Sequence, residues 1–117
     1  MKLKESYIAM NGDYEDVMLR LPREASVIKF LRKFAENGEF AELKEAAKAK
    51  DYKRVFELSH DLKGMAANLS ISRLGGLVSA ICEETRDKEP GADFDKMIEE
   101  ADAEYINVIK VISEIEE

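Results

Sequence analysis

With 117 residues, the chain is long enough to bury one hydrophobic core and too short for two domains of ordinary size. Apolar residues make up 45% of the chain and charged residues 37%, which is typical of a folded globular protein and not of a disordered one. The net charge of −7 argues against nucleic acid and against an anionic membrane surface as main partners. No apolar run reaches the roughly 18 residues of a membrane span.

Apolar residues recur at spacings of three and four in most windows of the sequence, which indicates helix throughout. Asp13 is predicted to cap a short first helix. Pro22 suits the first turn of a second, longer segment that continues to about Lys50. Within this segment Asn37-Gly38 predicts either a kink or a true break.

Three further helices follow, and each begins near a residue whose side chain can accept a hydrogen bond from a helix N-terminus. These residues are Asp51 for the helix that runs to Leu69, Ser70 or Ser72 for the helix that ends by Lys88, and Asp93 for the last helix. Glu89-Pro90-Gly91 predicts the turn before the last helix. Four substantial amphipathic helices with short connections predict an all-α fold, an antiparallel four-helix bundle with a short extra N-terminal helix, in a single domain over residues 1–117.

The helix from Asp51 to Leu69 contains the single histidine of the chain, His60. At about 100° per residue, the core-facing residues fall within about 40° of one direction; they are Val55, Ser59, Leu62, Ala66 and Leu69. His60 lies about 140° from that direction and is predicted to point into solvent. Gly64 and Ala67, one and two turns further on, have almost no side chain. Because a glycine inside a helix costs about 1 kcal/mol relative to alanine, some gain must offset it, and close approach by another protein is a natural one.

An exposed imidazole is largely neutral at pH 7, so one ring nitrogen is free to act as a nucleophile. Attack on a phosphoryl group would give a phosphoramidate with negatively charged oxygens. Lys63 lies one turn along the helix and can pair with them as a point charge. Glu57, one turn back, can accept a hydrogen bond from the other ring nitrogen or repel an incoming phosphate. The helix supplies no second catalytic group, so further chemistry must come from a partner.

Three alternatives stay open for His60. A lone histidine on a helix is often a surface residue without a function. Glu57-x-x-His60 matches the ligand pair of di-iron bundles, but the chain has no second histidine and both side chains are predicted to face outward, so no metal site is predicted. A non-phosphorylated docking module that binds a receiver or kinase domain would also present such a surface. Cys82 lies beside the apolar stripe of its helix and is predicted to be a buried apolar residue and not a reactive thiol.

The segment His60-Asp61-Leu62-Lys63-Gly64 is similar to the His-x-Leu-Lys-Gly signature of histidine-containing phosphotransfer (HPt) domains. The resemblance extends over roughly residues 12 to 88, and the last helix fits by pattern. The sequence departs from the family at Ser59, at Met65, where a smaller residue is usual, and at Ser70, where many members have glycine.

The resemblance implies a phosphorelay protein without kinase activity of its own. His60 would accept a phosphoryl group and pass it to or from the aspartate of a response-regulator receiver domain or of a hybrid sensor histidine kinase. Lys63 would support the phosphate, and Gly64 would leave room for the partner. No cofactor is expected in this chain, because the Mg²⁺ of the reaction belongs to the receiver domain.

The docking surface is predicted around His60. It is expected to combine small or apolar residues with charged ones, namely Phe56, Met65 and Ala67 with Lys53, Glu57 and Arg54. The protein is expected to be a monomer. The lone cysteine and the lack of an apparent signal peptide predict a cytoplasmic location, and the initial methionine with a complete helix set favours a free-standing protein.

Overall fold

The computed structural model describes residues 1–116, and these contain seven α-helices and no strand. The helices are α1 (Leu3–Ala9), α2 (Tyr14–Arg20), α3 (Glu24–Glu36), α4 (Glu39–Lys48), α5 (Tyr52–Asn68), α6 (Ser72–Glu84) and α7 (Phe94–Ser113). The all-α prediction is therefore confirmed.

Helices α4 to α7 form an antiparallel four-helix bundle, as predicted. Connections of a few residues join α4 to α5 and α5 to α6, so these neighbours run in opposite directions. Helix α7 returns against α4, where the Tyr105 ring stacks on Phe40 with centroids 4.3 Å apart. The Lys44 ammonium also pairs with Asp102 at 3.1 Å. These contacts close the ring of four helices around a core of buried aliphatic and aromatic side chains.

The N-terminal third of the chain has more helices than predicted. Asn37-Gly38 is a true break, because Asn37 has an extended backbone and its side-chain oxygen accepts a hydrogen bond from the Glu39 amide at 2.8 Å. The segment after Pro22 is therefore two helices, α3 and α4. Helix α1 was not predicted, since its seven residues are too few for a clear periodicity and no side chain caps its N-terminus. Its buried residues Leu3 and Tyr7 attach it to the core.

Two of the predicted helix caps are confirmed. The Asp13 carboxylate accepts a hydrogen bond from the Asp16 amide at 3.0 Å, and the Asp51 carboxylate accepts one from Arg54 at 3.2 Å. Asp93 is the N-cap residue of α7, but its side chain makes no capping hydrogen bond. Pro22 precedes the N-cap residue of α3, so its predicted place inside the first turn is wrong.

The predicted serine cap of α6 is wrong. The N-cap residue is Ile71, without a side-chain hydrogen bond, and Ser72 is already helical. Ser70 ends the preceding turn in a left-handed conformation (φ 54°), and its hydroxyl donates to Asp16 at 2.7 Å. That hydrogen bond helps to offset the strain of a non-glycine residue with positive φ.

Helix α2 is fastened to the C-terminal end of α5 by a polar network. The Arg20 guanidinium donates to the Asp16 carboxylate and to the Ala67 carbonyl, both at 2.9 Å, and to the Ser70 hydroxyl. It also donates to the Asn68 carbonyl at 3.3 Å. Carbonyls at the end of a helix lack partners within the helix, so these hydrogen bonds fix α2 beside the end of α5.

This network predicts a pH-dependent stability. Hydrogen bonds from the Ser70 hydroxyl and the Arg20 guanidinium hold the pKa of the Asp16 carboxyl below its ordinary value. A carboxyl group whose pKa is lower in the folded than in the unfolded protein stabilises the fold at every pH above its unfolded-state pKa. This stabilisation is lost as the pH falls through the folded-state pKa. We expect Asp16→Asn to have a lower free energy of unfolding than wild type at neutral pH. The difference in this free energy between the two proteins should become smaller in acid.

Urea unfolding at several pH values measures this difference. Glu15→Gln is the matched control, because Glu15 is an exposed acidic residue in the same first turn of α2. A stability gap for Asp16→Asn that is the same at neutral pH and in strong acid would contradict the assignment.

Candidate functional site

Helix α5 places His60 on its solvent-exposed face, as predicted. The opposite face is buried and consists of Val55, Leu58, Ser59, Leu62 and Ala66. The Ser59 hydroxyl donates to the Phe56 carbonyl at 3.1 Å, so this polar residue is satisfied within the core. The imidazole is therefore accessible to another protein.

The immediate surroundings of His60 combine an aromatic ring, a cation and open space. The Phe56 ring lies 6.0 Å from the imidazole, centroid to centroid. Lys63, one turn on, is half-buried and makes no salt bridge within residues 1–116. A Cβ atom placed on Gly64 would meet nothing within 4 Å, and Ala67 beyond it is exposed. The surface beside the imidazole is therefore open to a bulky visitor.

The charged residues predicted for the docking surface lie on the N-terminal side of His60 along α5. Lys53 is exposed two turns before His60. Glu57 pairs with Arg54 at 3.7 Å, and Arg54 also pairs with Glu42 at 3.0 Å, while the described residues show no hydrogen bond between Glu57 and His60.

Met65 is turned away from His60 by about 140° around the helix. Its side chain is half-buried and packs against the hydrophobic core. Its sulfur lies 3.7 Å from the Asn37 side-chain nitrogen at the break between α3 and α4. Met65 therefore contributes to the side of α5 that faces α3 and not to the patch around the imidazole.

Two residues near the site have no signal in the sequence. The Arg86 guanidinium, in the turn after α6, lies 4.9 Å above the Phe56 ring. Glu83 pairs with Arg86 at 3.0 Å. The Arg86 hydrogen bond and charge, with smaller contributions from the ammonium groups of Lys63 and Lys88, hold the pKa of the Glu83 carboxyl below its ordinary value. Cations therefore gather on the α6 side of His60.

Carboxylates occupy the α4 side of the same helix. Asp61 follows His60 and faces Glu39 at the start of α4. Burial and the neighbouring Asp61 carboxylate raise the pKa of Glu39, although a hydrogen bond from Asn37 opposes the shift. A phosphoryl group on His60 would be repelled from this side and attracted to the α6 side.

A groove lies beside the C-terminal half of α5, on the side of the helix that carries Met65. It has a volume of about 410 Å³ and lies between α2, α3 and the C-terminal half of α5. Apolar residues line most of it, and two cations stand at its rim: Leu21, Phe30, Phe34, Met65 and Leu69, with Arg20 and Lys33. Phe30, which lines the groove, is 42% exposed, and Leu19, two residues before the lining residue Leu21, is 84% exposed. Such exposed apolar residues beside a concave surface are typical of an interaction site.

Metal ligands, membrane-spanning segments and the lone cysteine concern other parts of the chain. Within residues 1–116 there is no cluster of three or more metal-ligating side chains, so the Glu57–His60 pair has no further ligand there. None of the helices in the described part of the chain is both long and apolar enough to span a membrane. Cys82 is fully buried, as predicted.

Comparison with protein families identifies the chain. The Hpt domain family matches residues 29–104, which include all of α4, α5 and α6, with His60 near the centre. Comparison with curated proteins and with solved structures finds no significant match. The family match spans more than half of the sequence, and the helical bundle is the architecture of such domains. The chain therefore belongs to the Hpt domain family, the phosphotransfer modules that work with receiver domains or kinases in phosphorelays.

Proposed function

We propose that His60 is the phosphoacceptor of this protein and exchanges a phosphoryl group with the aspartate of a receiver domain. One ring nitrogen attacks the phosphorus of the phosphoaspartate, a P–N bond forms, and the P–O bond to the aspartate breaks as the carboxylate leaves. The reverse step returns the group to an aspartate. The observation that carries this proposal is the exposed imidazole on a helix whose next turn, at Gly64, is open space.

The chain's own contribution is binding and electrostatics. Lys63 would pair with the phosphoryl oxygens, and Gly64 would let the receiver domain approach. The Mg²⁺ ion and the remaining catalytic groups would belong to the receiver, so the protein would act as a carrier without ATP-dependent kinase activity. Residues 1–117 would form one monomeric domain in the cytoplasm. Helices α1 and α2, which lie outside the family match, pack on the bundle and support this single-domain assignment.

The docking surface would extend from His60 into the groove. At 1.5 Å per residue, His60 and Asn68 are about 12 Å apart along α5. A patch of roughly 800 Å², the area that one partner contributes to an ordinary interface, is about 30 Å across and can therefore contain both residues. Phe56, Gly64 and Ala67 would lie under the receiver's active site, and an apolar side chain of the receiver would enter the groove. The cations at the groove rim would attract an acidic partner despite the net charge of −7.

The groove predicts an effect of charge reversal at Lys33. This residue lies at the rim, with its ammonium 5.7 Å from the centroid of the Phe30 ring. We expect Lys33→Glu to raise the receiver concentration for half-maximal transfer about threefold to tenfold, because rim charges steer association. The maximal rate of transfer should not change, because Lys33 is not among the residues that surround the His60 imidazole.

Lys29→Glu is the matched control, because Lys29 is also an exposed cation of α3 but lines a different cavity. Steady-state transfer measured at a series of receiver concentrations separates the two parameters. If both substitutions raised the half-maximal receiver concentration equally, only the net charge of the protein would affect association. That result would show that the groove is not part of the interface.

The proposed function is tested with a receiver domain phosphorylated by radiolabelled acetyl phosphate. Wild type should take up label, whereas His60→Gln should take up none and still bind the receiver. Label on His60→Gln equal to that on wild type would exclude His60 as the acceptor. Normal receiver binding with no label on wild type would instead favour the docking module that is never phosphorylated.

A further inference from the structure

The turn after α6 brings an arginine to the edge of the proposed phosphorylation site. The Arg86 guanidinium is 4.9 Å from the centroid of the Phe56 ring, and the His60 imidazole is 6.0 Å from the same centroid. Arg86 and His60 are therefore no more than about 11 Å apart, the sum of those two distances. The arginine side chain is long and flexible, so a modest rearrangement would bring its guanidinium to a group attached to the imidazole.

Arg86 is held in its present position by Glu83. The guanidinium contacts both carboxylate oxygens, with Nε–Oε1 and Nε–Oε2 distances of 3.3 and 3.4 Å and an Nη2–Oε1 distance of 3.0 Å. Arg86 and Glu83 are 46% and 60% exposed, so water screens their attraction. An ion pair of this kind contributes little to stability and is easily exchanged for another.

Phosphorylation of His60 would introduce a stronger competitor for the same cation. A phosphoryl group carries up to two negative charges and three acceptor oxygens, and arginine binds such oxygens with a pair of parallel N–H donors. The carboxylates of Asp61 and Glu39 lie on the α4 side of α5 and would repel a negatively charged phosphoryl group. The phosphoryl group would therefore turn towards the α6 side, where Arg86 lies.

We propose that Arg86 is a second phosphate-binding cation, held in reserve by Glu83 and released to the phosphoryl group when His60 is phosphorylated. This inference rests on the proposed function of His60. Phe56 acts as the platform on which the guanidinium moves between the two anions. Glu83 is then a positioning residue that competes with the phosphoryl group, and it limits how strongly the protein retains that group. The balance between Glu83 and Arg86 therefore tunes the direction of phosphoryl flow.

The proposal predicts opposite effects for the two members of the ion pair. Arg86→Gln removes the cation and should weaken retention of the phosphoryl group. Glu83→Gln removes the competitor and should strengthen it. A purely structural ion pair would behave differently, because loss of either partner would then have the same sign or no effect. Arg86→Lys keeps the charge and should restore most of the retention.

The experiment is a partition of phosphoryl groups at equilibrium. Equal amounts of affinity-tagged wild type and untagged variant are mixed with a trace of the labelled receiver domain that loads the wild type. The label exchanges through the receiver until its distribution is constant. The final ratio depends only on the relative stability of the two phosphohistidines and not on docking rates, and thermal unfolding confirms that each variant is folded.

We expect about threefold less label on Arg86→Gln than on wild type and about threefold more on Glu83→Gln, the size of a partly exposed ion pair. The role of Arg86 would be overturned if the label were shared equally between wild type and variant in both mixtures. It would also be overturned if both variants gained label, or both lost label, relative to wild type. A wild type that takes no label at all from any receiver would instead refute the proposed function, so the two failures are distinguishable.

Discussion

Gly64→Gln is expected to stabilise the bundle and at the same time to slow phosphoryl transfer by at least about fivefold. A Cβ at this position meets nothing within 4 Å, so the new side chain fits the isolated protein without strain. Replacing a helical glycine by a good helix former should raise the free energy of unfolding by about 0.5–1 kcal/mol. The same side chain would fill the gap that the receiver needs, and forcing a bulky group into an interface costs about 1–3 kcal/mol.

Gly76→Gln is the matched control for this prediction. Gly76 is also an exposed glycine inside a helix, α6, with nothing within 4 Å of its Cβ position. It should gain similar stability, and transfer should stay close to the wild-type rate. Urea unfolding and receiver-dependent labelling measure the two effects separately. Transfer by Gly64→Gln at the wild-type rate would mean that the open space beside His60 is not used in docking.

Gly12→Ala is expected to destabilise the protein by about 1–3 kcal/mol, because the added methyl group has no room. Its Cβ would lie 2.8 Å from the Ser70 carbonyl oxygen and 2.9 Å from a carbon of the Tyr7 ring. Neither neighbour can easily move. The Ser70 carbonyl accepts a hydrogen bond from the Asp13 amide at 2.9 Å, and the Tyr7 hydroxyl donates to the Leu69 carbonyl at 2.7 Å.

The substitution at Gly12 should also affect docking. Helices α1 and α2 would separate from the turn between α5 and α6, and α2 forms one wall of the groove. We expect the half-saturating receiver concentration to rise, with the maximal rate of transfer largely preserved because α5 is intact. Urea unfolding measures the stability, and Gly76→Ala serves as a control for the change of side chain. A Gly12→Ala protein as stable as wild type would show that this segment is not tightly packed.

The sequence was most informative where structure depends on local periodicity. The outward direction of His60 follows from the positions of apolar residues within α5 itself, and the Asp13 and Asp51 caps follow from residues three positions apart. Ser70 was less predictable. Its left-handed conformation ends α5, where the Ile71 amide donates to the Ala66 carbonyl at 3.0 Å, and its hydroxyl donates to Asp16, which is distant in the sequence. The local pattern therefore favoured a cap that does not form.

The parts of the site that the sequence did not predict depend on tertiary contacts. Arg86 lies on a different element from His60, and only the packing of α6 against α5 brings it over Phe56. The groove similarly needs α2, α3 and α5 to meet, and the break at Asn37-Gly38 decides where α3 lies. Periodicity within one helix contains no information on either arrangement.

The most direct test of the account is to load the protein with phosphoramidate, a small donor that requires no docking surface, and to map the phosphate by mass spectrometry. Attack by the imidazole forms a P–N bond and releases ammonia. The account predicts one acid-labile phosphoryl group on His60, with loading preserved in Gly64→Gln. Phosphate on another residue, or no phosphate on a folded protein, would contradict it.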